Sequence, residues 1–221
     1  MKFKSTVLWL NLTKKWFLKF GLTPNCIFET IVSTYNPDGS CNAAPMGIIV
    51  KRSGTVLISP YIQTQTYKNL RYWRCCTINF TWKPEVFFKT TFKRLKGVRI
   101  PSAWFEKSRN VYAPRLRIAD GYVEAKVLKF KVYGDRGIFL CKVLASKIRS
   151  QPPLTYFRAI PAIVESVIHA TRILKFREDG EMEKVKKLLE MVNHYDNLVR
   201  RVAPKSSLVK VMDDLKKILA K

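Results

Sequence analysis

Two short segments hold residues whose types and spacing suit chemistry. In Cys41-Asn42-Ala43-Ala44-Pro45-Met46-Gly47, small side chains flank a proline inside an otherwise β-branched stretch. Pro45 has no N–H to give a neighbouring strand, and Gly47 lets a flat group approach the backbone. A planar heteroaromatic can stack there and read main-chain N–H and C=O groups; a kinked edge strand without a ligand is the alternative. Farther on, Thr64-Gln65-Thr66-Tyr67-Lys68-Asn69-Leu70 sets hydroxyls and N–H groups at the start of a predicted helix, with Lys68 and Arg71 close by. Helix N-termini carry unpaired donors and partial positive charge, which makes this a phosphate cradle, or else a threonine that simply caps the helix. Glu165, His169 and Arg172 fall at i, i+4 and i+7 and share one face of a later helix.

Other chemistries lack their side chains. There are only two histidines, His169 and His194, and neither HExxH nor GxSxG occurs, so no metal site and no catalytic triad is expected. GxGxxG and GxxxxGK followed by Ser or Thr are also missing, which removes a Rossmann fingerprint and a phosphate-binding Walker loop. An enzyme built from this sequence would take its reactivity from a bound cofactor. The five cysteines show no CxxC spacing, against a zinc site or a secreted disulfide framework and in favour of a cytoplasmic location. Cys75 and Cys76, adjacent on a predicted strand, point to opposite faces and are read as packing residues. So are Phe80, Trp82, Phe87, Phe88 and Phe92.

The elements that position these groups follow from period and turn chemistry. Cys26 to Thr34, the turn Asn36-Pro37-Asp38-Gly39-Ser40, and Cys41 to Val50 predict a hairpin, and Ser53-Gly54 leads to a third strand, Val56-Leu57-Ile58. Helical spacing from Thr64 to Trp73 is followed by a strand from Cys75 to Trp82. A short helix then starts at Pro84, with Val86, Phe87 and Leu95 on its apolar side. Residues 96 to 115 read as an irregular connection. Val123, Ala125 and Val127 alternate with Glu124 and Lys126, and Gly134-Asp135-Arg136-Gly137 turns into a last strand from Ile138 to Ile148. Six strands with two short helices predict a small antiparallel barrel. After Gln151-Pro152-Pro153 the spacing is helical, in three segments, the last capped at Ser206.

Charge is the outstanding feature of composition: 41 Lys and Arg against 16 Asp and Glu in 221 residues, a net +25. With 47% hydrophobic residues the chain is too apolar to be a disordered basic tail. Residues 177–221 carry 11 basic and 8 acidic side chains, leaving 30 and 8 in residues 1–176, so along the chain the excess lies toward the barrel. The longest uncharged stretch, Ser53 to Tyr67, is broken by Gly54 and Pro60 and is too short to span a bilayer. Lys14 and Lys15 interrupt the apolar N-terminal run, which is read as a retained extension rather than a targeting peptide.

NPDGSCNAAPMG, then TQTYKNL, then TINFT, followed by RLRIADGYVEAKVL and FRAIPAIVESVIHATRIL, resembles an archaeal family of uncharacterised FMN-binding split-barrel proteins. These are relatives of flavin reductases and pyridoxamine-phosphate oxidases. The resemblance runs from about Cys26 to Leu174 and more loosely through the C-terminal helices. It departs at Tyr72-Trp73-Arg74-Cys75-Cys76, where the family usually has an acidic or glycine-containing turn, and in the first 25 residues, which are read as an addition or as the product of a start codon placed too early. It implies a mainly β fold with added α structure: an N-terminal extension (1–25), a split β-barrel domain binding FMN (26–150) and a C-terminal helical region (151–221).

The resemblance also implies two chains paired with FMN at their interface. Asn42 to Gly47 would line the flavin ring; Thr64, Thr66 and Asn69 would hold the phosphate, with Gln65 in the same turn and Lys68 as ion partner. Asn79 would position that loop or touch the ribityl chain. Glu165, His169 and Arg172 match the family's helical motif, where His169 is either a structural bridge to Glu165 or a flavin or substrate contact. The expected function is a flavin-dependent oxidoreductase taking hydride from NAD(P)H and passing it to an unidentified acceptor. Two alternatives differ in class: an FMN carrier or sensor without turnover, and a nucleic-acid-binding module using the positive charge.

Overall fold

Apolar alternation punctuated by glycine turns builds the first half of the molecule, and helical spacing builds the second. The structure is a computed structural model and describes residues 16–22, 24, 27–149, 159–204 and 206–220. In chain order the elements are α1 (Trp16–Lys19), β1 (Ile27–Tyr35), β2 (Cys41–Val50), β3 (Val56–Ile58), α2 (Gln65–Trp73) and β4 (Cys75–Phe80). They continue with α3 (Pro84–Thr91), β5 (Phe105–Lys107), β6 (Pro114–Leu116), β7 (Gly121–Tyr133), β8 (Arg136–Ile148), α4 (Ala159–Glu178), α5 (Met182–Val202) and α6 (Ser207–Leu219). Two compact units emerge: Met1–Thr81 with Ile100–Pro152, and Trp82–Arg99 with Pro153–Lys221.

The first unit is a closed barrel of β1-β2-β3-β8-β7-β4, every pairing antiparallel. The predicted split β-barrel with C-terminal helices is the fold observed. Gly39, at φ +80°, supplies the left-handed residue that closes the β1–β2 hairpin. Ile48, Val50, Val56, Ile58, Ile78, Val123, Ala125, Phe139 and Cys141 fill the barrel, and Cys76 packs with them. Trp16 and Phe17, from the predicted extension, belong to the same core, and the Trp16 indole Nε1 donates to the Gly54 carbonyl at 2.8 Å. Cys26, residues 1–15 of the extension and the Pro152-Pro153 linker lie outside the described residues.

Five expectations are corrected. Residues 96–115 are not wholly irregular: a 3-10 turn at Ser102–Trp104 precedes the two-stranded β5–β6 ribbon, whose strands are too short to show a period. Leu95 lies beyond the end of α3 and is 40% exposed, and Trp82 is 51% exposed. Glu124 does not alternate outward: it is 1% exposed and accepts from the Arg109 and Asn110 N–H groups at 3.1 and 2.6 Å and from the Asn110 Nδ2 at 2.8 Å. Ser206 occupies the N-cap position of α6, but its hydroxyl donates backwards to the Ala203 carbonyl at 2.6 Å.

The second unit packs α3 with α4, α5 and α6 around Phe88, Phe92, Ile163, Val167, Ile173, Val192, Met212 and Leu215. Asp196, buried on α5, is held by Arg200 Nε and by Lys216 Nζ of α6, each at 2.9 Å, which compensates its charge. Because Trp82–Arg99 folds with this unit, charge is shared more evenly than chain position suggests. The helical unit holds 20 basic and 10 acidic residues, the barrel unit 21 and 6.

Removing the Glu124 carboxylate leaves three donors unpaired inside the barrel unit. Glu124→Ala is therefore expected to lower unfolding free energy by about 3 kcal/mol, with Glu124→Gln losing less, as read from urea unfolding midpoints.

Candidate functional site

Strand β2 is ten residues long, but its two neighbours cover it unequally. Strand β1 pairs with it from Cys41 to Ile49, whereas β3 pairs only with Ile48–Val50. Among the described residues, no strand covers the β3 side of Cys41–Gly47. Pro45 sits opposite Ile31 within the continuous β1 ladder, so its nitrogen must face the uncovered side. Ala44, Pro45, Met46 and Gly47 are all partly exposed, giving a flat stretch of backbone with small side chains. The Met46 carbonyl accepts from Thr30 Oγ1 at 2.9 Å, which anchors the stretch to β1. Asn42 and Ala43 are buried at its end.

The first turn of α2 is fastened to this hairpin by buried polar groups. Thr34 Oγ1 accepts from Asn42 Nδ2 at 3.2 Å and from Asn69 Nδ2 at 2.9 Å. Asn69 Nδ2 also donates to Asn36 Oδ1, and Asn69 Oδ1 accepts from Gln65 Nε2, both at 2.8 Å. Asn42 Nδ2 reaches Thr66 Oγ1 at 3.4 Å. Thr34 lies outside the motifs singled out in the sequence, yet counting register outward from the turn that Asn36 opens puts Thr34 opposite Asn42, as observed.

These bonds change how the predicted phosphate residues work. Asn69 is completely buried and its amide is committed to protein partners, so it positions the turn instead of presenting a donor. The Thr66 hydroxyl also faces inward. Thr64 is the N-cap: its Oγ1 accepts from the Tyr67 N–H at 3.3 Å and donates to the Tyr61 carbonyl at 2.6 Å. What remains outward is backbone. The Gln65 and Thr66 N–H groups, at the first two helical positions, have no acceptor among the described residues. Lys68 is exposed one turn on, while Arg71 lies over the Tyr67 and Phe130 rings at 5.9 and 5.6 Å.

The other predicted residues stand apart. Asn79 is completely buried: its Nδ2 donates to the Ile31 carbonyl and Ser33 Oγ, each at 2.9 Å, and its Oδ1 accepts from the Leu116 N–H at 2.8 Å. It ties β4 to β1 and β6 and does not join the cluster around Thr34. Glu165, His169 and Arg172 belong to the helical unit. Glu165 and Arg172 are exposed, whereas His169 is buried beside Tyr195, with ring centroids 6.0 Å apart. Neither ring nitrogen of His169 has a hydrogen-bond partner among the described residues, so no bridge to Glu165 is made. Burial raises the Cys41 thiol pKa above its usual value, which keeps the one exposed cysteine at the hairpin a thiol rather than a reactive thiolate. No group of histidine, cysteine and carboxylate side chains suited to a metal ion occurs among the described residues, nor does a helix long and apolar enough to cross a membrane.

The model of a family described as a protein of unknown function (DUF447), N-terminal domain, matches residues 28–150. The chain belongs to this family. An FMN-bound family member from Methanosarcina mazei shares the fold at 22% identity and a TM-score of 0.75, covering 91% of this chain and 99% of its own. The flavin reductase of styrene monooxygenase from Pseudomonas putida aligns at 15% identity and a TM-score of 0.48, over 57% of this chain and 83% of that one. The flavin reductase HpaC, complexed with NADP+, aligns at 18% identity and a TM-score of 0.49, over 62% and 88%. The resemblance carried by NPDGSCNAAPMG and TQTYKNL thus led to the family that the comparison finds.

Burial holds the His169 pKa below its usual value, with Arg172 adding to the depression and Glu165 opposing it. The unfolded chain then binds the extra proton more readily than the folded one, so stability is complete above the unfolded value of about 6.5 and declines as pH falls through it. A thermal unfolding series from about pH 8 to about pH 5 is expected to show a falling midpoint, with a shallower fall in His169→Leu.

Proposed function

We propose that the barrel unit binds FMN, with its phosphate at the first turn of α2 and its ring along the uncovered side of β2. The observation that carries this reading is the joining of those two surfaces by one buried polar cluster: unpaired helix donors and a flat, small-residue backbone stretch, fixed relative to each other. The donor set suits the ligand. A phosphate takes the Gln65 and Thr66 N–H groups at the positive end of a helix, and Lys68 adds a screened ion partner. Ala44 and Gly47 leave room for a fused ring, and the main-chain groups on that side offer hydrogen bonds to its polar edge. FMN binding to the Methanosarcina mazei family member supports the choice of cofactor.

When bound, FMN supplies electron and hydride transfer. The protein's own contribution is placement: a hairpin and a capped helix fastened by buried hydrogen bonds, with Lys68 exposed one turn along. We assign the chain to flavin-dependent oxidoreductases of the flavin reductase type, with reduced nicotinamide as donor. A carrier or sensor would bind FMN equally well but would not speed nicotinamide oxidation. Two copies are proposed to pair, because Leu128, Phe130 and Val132 form an alternating row of exposed apolar side chains on β7 at 46%, 37% and 51% exposure.

The purified protein, or the protein after addition of FMN, should be yellow with about one flavin per chain; a colourless protein that ignores FMN would end this reading. Gln65→Pro removes one cradle N–H while keeping the helix, since proline is tolerated at the first helical position and Thr64, at φ −77° and ψ 151°, already has the conformation that precedes proline. It is expected to weaken FMN binding about tenfold or more, whereas Gln65→Ala, which keeps the N–H, stays within a few-fold of wild type in a fluorescence titration. Val132→Glu is expected to halve the mass seen by light scattering, and an unchanged mass would remove β7 from the interface.

A further inference from the structure

The helical unit contains a cavity of about 470 Å³ that the flavin reading leaves unused. Its size lies in the usual range for small-ligand sites, roughly 300–1,000 Å³. Phe88, Val98 and Ile218 provide an apolar lining, and Lys96, Arg99 and Lys217 a cationic one. Asp214, the one acidic side chain of the lining, is paired with Lys217 at 3.0 Å, whereas Lys96 and Arg99 have no ion-pair partner among the described residues. They flank a turn in which Gly97 takes φ +87° and the Val98 N–H donates to the Leu95 carbonyl at 3.0 Å, so both are carried on defined backbone.

The segment Lys83–Arg99 has six basic residues and one acidic one, Glu85, and no further carboxylate follows until Glu106. Burial, with the neighbouring Arg94, pushes the Lys93 pKa down to about 8. An apolar lining beside two cations matches a ligand with a flat, weakly polar body and a charged phosphate end.

We propose that this cavity binds a phosphorylated small molecule of mononucleotide size, its phosphate on Lys96 and Arg99 and its body against Phe88, Val98 and Ile218. The site lies wholly within the helical unit and is independent of FMN binding by the barrel.

The test uses the full chain, incubated with FMN and desalted, titrated with ADP bearing a fluorescent methylanthraniloyl group. Saturable binding is expected, displaced by unlabelled ADP and at least about tenfold less well by adenosine, which lacks the phosphate. The doubly substituted Lys96→Ala, Arg99→Ala protein should lose at least about tenfold in affinity with unchanged far-ultraviolet circular dichroism, while Gln65→Pro should bind the probe like wild type. Equal displacement by adenosine and ADP would overturn the proposal without recourse to any variant. So would unchanged affinity in the double variant. Tight binding of a single-stranded RNA oligonucleotide that depends on Lys96 and Arg99 and is indifferent to ADP would also overturn it, by giving these cations to a nucleic-acid backbone.

Discussion

One hydroxyl holds the barrel's candidate site together. Thr34 Oγ1, buried at the end of β1, accepts from Asn42 on β2 and from Asn69 on α2, so a strand, its hairpin partner and a helix converge on a single oxygen. In a medium of low polarizability such bonds are strong, and leaving any donor unpaired costs more than the bond itself contributes. The consequence is geometric. The first turn of α2 cannot drift from the uncovered side of β2 without breaking a buried amide contact. A flexible connection between the same two surfaces would bind an elongated cofactor with a large ordering cost; a fixed one avoids it.

Much of the barrel was legible in residue order. Gly39, Gly54 and Gly134 marked turns, and alternation in Val123, Ala125 and Val127 gave the inward face of β7. What escaped was tertiary. Glu124 alternates as an outward residue, but a loop closes over it and supplies backbone donors, and nothing in a local pattern announces a loop's return. β5 and β6 have three residues each, too few for a period to register. Trp16 and Phe17 precede the barrel's first strand and still fill its core, because an apolar pair finds the nearest unfilled volume whatever its place in the chain.

The site residues divide along the same line. Types at the right spacing pointed to the β2 stretch and the α2 turn, which buried hydrogen bonds join in the structure, since backbone access and helix-end donors are local properties. Roles did not follow from types. Asn69 and Thr66 look like ligands and serve as fasteners, while the groups left facing outward are amides that every residue possesses. Thr34 became visible only once hairpin register was known, and Asn36, read as a turn residue, also accepts from Asn69. His169 shared a predicted face with Glu165 and Arg172, but the neighbouring helix α5 covers the histidine and leaves the two charges in solvent. The net charge of +25 is divided between the two units once Trp82–Arg99 is grouped with the helices it folds with.

The central claim is that backbone amides at the start of α2, rather than the hydroxyls and carboxamides around them, meet the phosphate of FMN. Amide-resolved nuclear magnetic resonance during an FMN titration tests it directly. The Gln65 and Thr66 N–H resonances are expected to move downfield most, with Ala44, Met46 and Gly47 shifting under the flavin ring and the Asn69 side-chain amide nearly still. FMN that binds while the Gln65 and Thr66 resonances stay in place would contradict it.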